Sequence, residues 1–140
     1  MYCKLRSNEQ MRLHLVNSYS EQNGKQYDFQ AYVNNEFVGS VSCVIQQKTA
    51  VIKQLWVMNH FRKHGFGKII MQSIENILIH QYGITATILF PFPFQEEFEL
   101  MDARPINDQL QELYRFYRAC GYQKENELDL FWIKTINVND

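Results

Sequence analysis

The 140-residue chain has the length of one domain, and with 46% hydrophobic and 14% aromatic residues it can build a core, which excludes an intrinsically disordered chain. A net charge of -1 excludes a general binder of the nucleic-acid backbone, which needs a surplus of Lys and Arg to displace counterions. Cys3, Cys43 and Cys120 are odd in number, far apart and without a Cys-x-x-Cys pair, and no apolar run reaches the ~18 residues of a membrane span, so neither a disulfide framework nor a membrane anchor is expected and the predicted compartment is the cytoplasm.

Met11, Leu13 and Leu15 alternate at period two and, continuing towards Tyr19, predict a half-buried strand. Two further strand-like runs, Tyr27 to Val33 and Phe37 to Ile45, meet at Asn34-Asn35, a pair that tolerates the left-handed backbone of a tight hairpin. Ala50 to Met58, rich in β-branched and aromatic residues, completes an antiparallel meander of four strands. The period then lengthens. Phe66, Ile70, Ile74, Ile77 and Leu78 share one side, with Lys68, Gln72, Glu75 and Asn76 opposite, so Gly65 to Tyr82 is an amphipathic helix closed by Gly83. Ile84 to Phe90 is a short apolar strand, expected to run parallel to the strand before the helix, because a crossover has intervened. Pro91 to Pro105 reads as a long irregular loop. A second helix is expected from Asp108, with Asp108 and Gln111 as a capping box, to Gly121, and Leu128 to Ile136 as a last strand. The whole is read as one α/β (α+β) domain over residues 1 to 140, with a mixed, mainly antiparallel sheet.

The chemistry-bearing stretch is Leu55 to Lys68, a strand, a turn and the opening of a helix. Amides at a helix start lack intrahelical acceptors and carry roughly half a positive charge, so they attract phosphate. Gly65 and Gly67 would let a diphosphate come close, and Arg62, Lys63 and Lys68 supply cationic donors. A P-loop would need Ser or Thr after Lys68, where Ile69 stands, and a dinucleotide fingerprint would need glycine where Ile70 stands. His60 and His64 have no third ligand nearby, and no metal site is expected.

The run Arg62-x-x-Gly65-x-Gly67, with Val57 five residues before the Arg, resembles the coenzyme motif of the GNAT superfamily of N-acetyltransferases. Phe116-Tyr117-x-x-x-Gly121-Tyr122 is similar to the family's second signature. The resemblance, covering roughly Phe29 to Ile133, implies a GNAT-like sheet whose central parallel pair is flanked by helices and opens as a V around acetyl-CoA. It implies transfer of the acetyl group to an amine of a small molecule or protein, by direct attack in a ternary complex. The coenzyme would be held by Leu55, Val57, Arg62, Lys63, His64, Gly65, Phe66, Gly67 and Lys68. The Val57 N–H would stabilise the developing oxyanion, and Tyr117 would protonate the departing thiolate, with Tyr114 as the alternative acid. Asn59 and Leu110 stand where relatives often have Pro and Asn. Ser20 to Gln26 is too short for the two helices that relatives insert there, so the first helical pair is reduced or absent and the acceptor side open.

Lys53 and Gln54 occupy the strand where a Glu base would be sought, and no base is assigned. Deprotonating a lysine amine at neutral pH costs about 4.6 kcal/mol against about 1 for an α-amine, which favours an acceptor of low pKa. A homodimer is left open, and the alternative function is a catalytically silent acyl-CoA-binding or protein-interaction module on the same fold.

Overall fold

The computed structural model describes residues 10 to 62, 65 to 91 and 105 to 136. The order of elements is β1 (Met11–Glu21), β2 (Gly24–Val33), β3 (Glu36–Gln46), β4 (Thr49–Val57), a 3-10 turn (Asn59–Phe61), α1 (Phe66–Tyr82), β5 (Ala86–Leu89), α2 (Ile106–Ala119) and β6 (Trp132–Thr135). The strands form one sheet in chain order, antiparallel throughout except for the parallel β4–β5 pair. Among the described residues, no helix is long and apolar enough to cross a membrane.

Local chemistry accounts for the meander. Asn34 and Asn35 both take positive φ, 51° and 66°, as a two-residue turn between right-twisted strands requires. β1 meets β2 through a turn as short, Glu21 standing opposite Gly24, so no helix lies between these strands. Gly83, at φ 66°, closes α1 as expected, while Ile84 N–H reaches back to the Leu78 carbonyl at 3.0 Å.

Three unpaired residues, Val16, Val38 and Lys53, interrupt the ladders. The bulge at Lys53 matters most. It lets Ile52, Leu55 and Val57 stand opposite Cys43, Val41 and Gly39, all on the face packed by α1, whereas strict alternation would have turned Leu55 and Val57 away. Both helices lie on this face. Phe29, Val41, Cys43, Ala50 and Ile52 from the sheet meet Phe66, Ile70, Met71, Ile74 and Leu78 of α1 in the core. The other face carries a row of rings, His14, Tyr32, Phe37 and Trp56, with centroids 5.2, 5.7 and 6.0 Å apart, and no described helix covers it.

Three expectations are corrected. α2 begins at Ile106 with Pro105 at its N-cap and no side-chain cap, so Asp108 sits in the first turn and forms no capping box with Gln111. Proline can open a helix because its missing N–H would lack a partner there anyway. The last strand is only Trp132–Thr135, because Asn126 and Asp129 close a turn on each other, with Asn126 N–H donating to the Asp129 carboxylate at 3.0 Å. Leu128 and Leu130 are consequently 95% and 83% exposed. Glu75, placed on the polar side of α1 by its spacing, is buried at 6% exposure.

Candidate active site

β5 pairs with β4 only from Thr49 to Ile52. Beyond that point Lys53 to Val57 has β3 on one side and no described strand on the other, so the parallel pair opens towards the end of β4. Met58 N–H donates to the Val38 carbonyl at 2.9 Å, and hydrogen bonding alternates along an antiparallel ladder. Val57 N–H therefore points away from β3, on the side of the opening.

From there the chain makes one 3-10 turn, with Phe61 N–H on the Met58 carbonyl and Arg62 N–H on that of Asn59, and re-enters as α1. Gly65 is the N-cap of α1 at φ 83°, ψ 1°, a left-handed conformation that costs other residues about 1–2 kcal/mol. The first intrahelical bond runs from Ile69 N–H to the Gly65 carbonyl at 3.2 Å, no side chain caps the end, and the first turn holds no acidic residue. Phe66, Gly67 and Lys68 thus present amides without intrahelical acceptors. The nearby charges are cations, with Lys68 in the turn itself and Arg62 anchored by its Nε to the Val57 carbonyl at 2.7 Å. Cations at a helix N-terminus are disfavoured by the dipole, so the set suits an incoming anion and fits the diphosphate of a coenzyme.

The expected site residues divide into three groups. Leu55, Val57, Arg62, Gly65, Gly67 and Lys68 converge on the junction of β4 and α1. Phe66 has its ring in the core, edge-on to Phe61 at 5.3 Å, leaving only its backbone for a ligand. Lys63 and His64 lie outside the described residues, as does nearly all of the loop expected from Pro91 to Pro105. Gly67 has a role its spacing did not disclose. A Cβ there would stand 3.1 Å from the Phe116 ring and 3.8 Å from Val57 Cγ2, so its missing side chain makes room for α2. Among the described residues no group of three or more His, Cys, Asp or Glu could hold a metal ion.

α2 separates its two candidate tyrosines. Tyr114 stacks on Trp132 of β6, with centroids 5.2 Å apart and planes at 17°, and lines a groove of about 760 Å³ with Arg118 and Lys124, which no described residue of the β4–α1 junction borders. Tyr117 instead lies edge-on to Phe116 at 5.1 Å, beside the ring that fills the space over Gly67. It is half-buried, and burial first, then the nearby Cys120, pushes its pKa up to about 12. Lys53 is engaged elsewhere, donating to Gln26 Oε1 at 3.1 Å with the Glu21 carboxylate at 3.8 Å.

Residues 3 to 93 match the family model described as the acetyltransferase (GNAT) family. PaiA N-acetyltransferase from Thermoplasma acidophilum, in complex with coenzyme A, superposes with a TM-score of 0.54 at 16% identity over 79% of this chain and 60% of that one. For an aminoglycoside 6'-N-acetyltransferase complexed with coenzyme A the values are 0.60 and 18%, over 80% and 73%. For a spermidine N-acetyltransferase from Vibrio cholerae they are 0.60 and 10%, over 79% and 64%. This chain thus spans less than two thirds of the first and third of these proteins, and at such identities the likeness is one of fold. Among curated proteins, none matches the sequence.

Proposed function

The chain belongs to the acetyltransferase (GNAT) family, and from that premise we propose that it transfers an acetyl group from acetyl-CoA to a primary amine of a small molecule or protein. The observation that carries the proposal is the uncapped, acid-free and cation-flanked start of α1 at the end of β4, where β5 has ended. Bound acetyl-CoA supplies the activated acetyl thioester. The amides of Phe66, Gly67 and Lys68, with the Arg62 guanidinium and Lys68 ammonium, hold the diphosphate.

The acceptor amine attacks the thioester carbonyl within a ternary complex, forming the C–N bond as the C–S bond breaks. Val57 N–H donates to the carbonyl oxygen as charge develops there. Tyr117 gives its phenolic proton to the departing sulfur. With a pKa of about 12 against ~8.5 for an ordinary thiol, it does so only as the bond breaks, so placement outweighs acidity. The acylated nitrogen sheds its extra proton to water, and the phenolate regains a proton from water, so that amide and free thiol are the products. The acceptor side has no helical wall between β1 and β2, in keeping with a bulky or protein-borne amine, and the neighbours that act on an aminoglycoside and on spermidine set the first amines to try.

The test is release of free thiol on mixing the protein with acetyl-CoA and an amine panel of spermidine, an aminoglycoside and lysine-bearing and α-amine peptides. Amine-dependent release is expected. Calorimetric binding of acetyl-CoA without release for any amine would identify a silent acyl-CoA-binding module, and absence of binding would remove the site altogether.

A further inference from the structure

Glu75 is a carboxylate among the apolar side chains of α1, and both its oxygens are used. Oε1 accepts from Lys134 Nζ at 2.7 Å, and Oε2 accepts from the Tyr122 hydroxyl at 2.9 Å. Since Tyr122 spends its proton on Glu75, the Thr87 hydroxyl 2.7 Å away donates to Tyr122. Lys134 also donates to the Cys120 carbonyl at 2.9 Å. One network, buried at Glu75, Thr87 and Tyr122 and half-buried at Lys134, therefore ties α1, β5, β6 and the exit of α2 together.

Stability is a poor account of such a network. Replacing a buried ion pair by apolar side chains of similar volume is often neutral or stabilising, so what the arrangement supplies is geometry. That geometry leads to Tyr117. Its carbonyl accepts from Cys120 N–H at 3.1 Å and from Tyr122 N–H at 3.0 Å, and the Tyr117 and Tyr122 rings meet edge-on at 6.2 Å. Gly121 between them, at φ 97°, leaves the Lys134 chain room to pass, since a Cβ there would stand 3.1 Å from it. The residue proposed to carry the proton is thus one hydrogen bond from a ring whose far end is clamped by Glu75 and Thr87.

We infer that Glu75 and Tyr122 are positioning residues, which hold the last turn of α2 so that the Tyr117 phenol faces the departing sulfur. The inference rests on the reading of Tyr117 as the proton donor. Small displacements of a catalytic group are costly to rate while leaving coenzyme contacts at the start of α1 intact.

Thiol release from acetyl-CoA is measured with whichever of spermidine, an aminoglycoside and a lysine peptide reacts fastest, or with water where none does, alongside calorimetric titration of acetyl-CoA. Tyr122→Phe, which removes one oxygen and keeps the ring, is expected to lower kcat about tenfold with the acetyl-CoA Kd changed less than about twofold. Glu75→Leu should behave alike, and Glu75→Gln, which can still bond both neighbours, should restore most of the rate. In a Tyr117→Phe background Tyr122→Phe should cost nothing more, because there is no phenol left to place. Equal losses in both backgrounds, or an unaffected Tyr122→Phe enzyme beside a slow Tyr117→Phe enzyme, would overturn this inference alone. Full activity of Tyr117→Phe would overturn the proton-donor reading and this inference with it.

Discussion

Arg62 hangs from the end of β4 by the bond between its Nε and the Val57 carbonyl, so Arg62→Glu places a carboxylate where α1 opens. Acetyl-CoA affinity should fall by more than about tenfold, since a charged hydrogen bond to the diphosphate is replaced by repulsion between like charges, while the melting temperature stays near that of the parent; calorimetric titration and scanning check the two halves. Gly67→Glu is the poorer probe, because its Cβ presses on Phe116 and overpacking of this kind costs about 1–3 kcal/mol before any ligand is added. Tyr117→Phe should lower kcat by on the order of 10²–10³ with acetyl-CoA affinity unchanged, whereas Tyr114→Phe, still stacked on Trp132, should stay within about twofold. Burial raises the Tyr117 pKa, so the proton-bearing form persists to about pH 12 and kcat should not decline through the ordinary phenol value of ~10. A decline with its midpoint near 10 in steady-state pH profiles would mean a water-exposed phenol.

Between strands, the closest constraint is Gly39, where a Cβ would stand 2.2 Å from the Trp56 carbonyl oxygen. Gly39→Ala must push β3 and β4 apart beside Val57, and it should destabilise the protein by at least about 2 kcal/mol in urea titrations. The meander, the Asn34-Asn35 hairpin, α1 with its Gly83 cap and the parallel β5 were legible because each rests on local chemistry: period, turn residues, a left-handed cap. The bulges were not. An extra residue such as Lys53 leaves no mark in composition, yet it sets which face Leu55 and Val57 occupy. The last strand was read too long because apolar Leu128 and Leu130 imitate a strand, where a turn between Asn126 and Asp129 takes the backbone instead.

The molecule as a whole should respond to its coenzyme. Acetyl-CoA at about 100 times its Kd contributes about 2.7 kcal/mol, enough to raise the melting temperature by several degrees, and Arg62→Glu should lose at least about half of that increment in the same scan. Alkali should act in the opposite sense. Cys43 is raised to about 12, Cys120 to about 11 and Tyr117 to about 12, each chiefly by burial, so the folded state holds their protons more tightly than the unfolded chain does. Their contribution is complete below the ordinary values of 9.0 and 10.0 and is lost as pH climbs towards 12, so the denaturant midpoint should fall between about pH 9 and pH 12. The order of elements, the motif from Arg62 to Gly67 and the absence of a helical pair between β1 and β2 were determined by the sequence alone, since each is set by neighbours along the chain. Tertiary structure decided that Gly67 makes room for Phe116, that Tyr117 and Tyr114 face different spaces, and that Glu75 is a buried clamp. Each of those depends on residues far apart in sequence meeting across packed elements, where spacing along the chain carries no information.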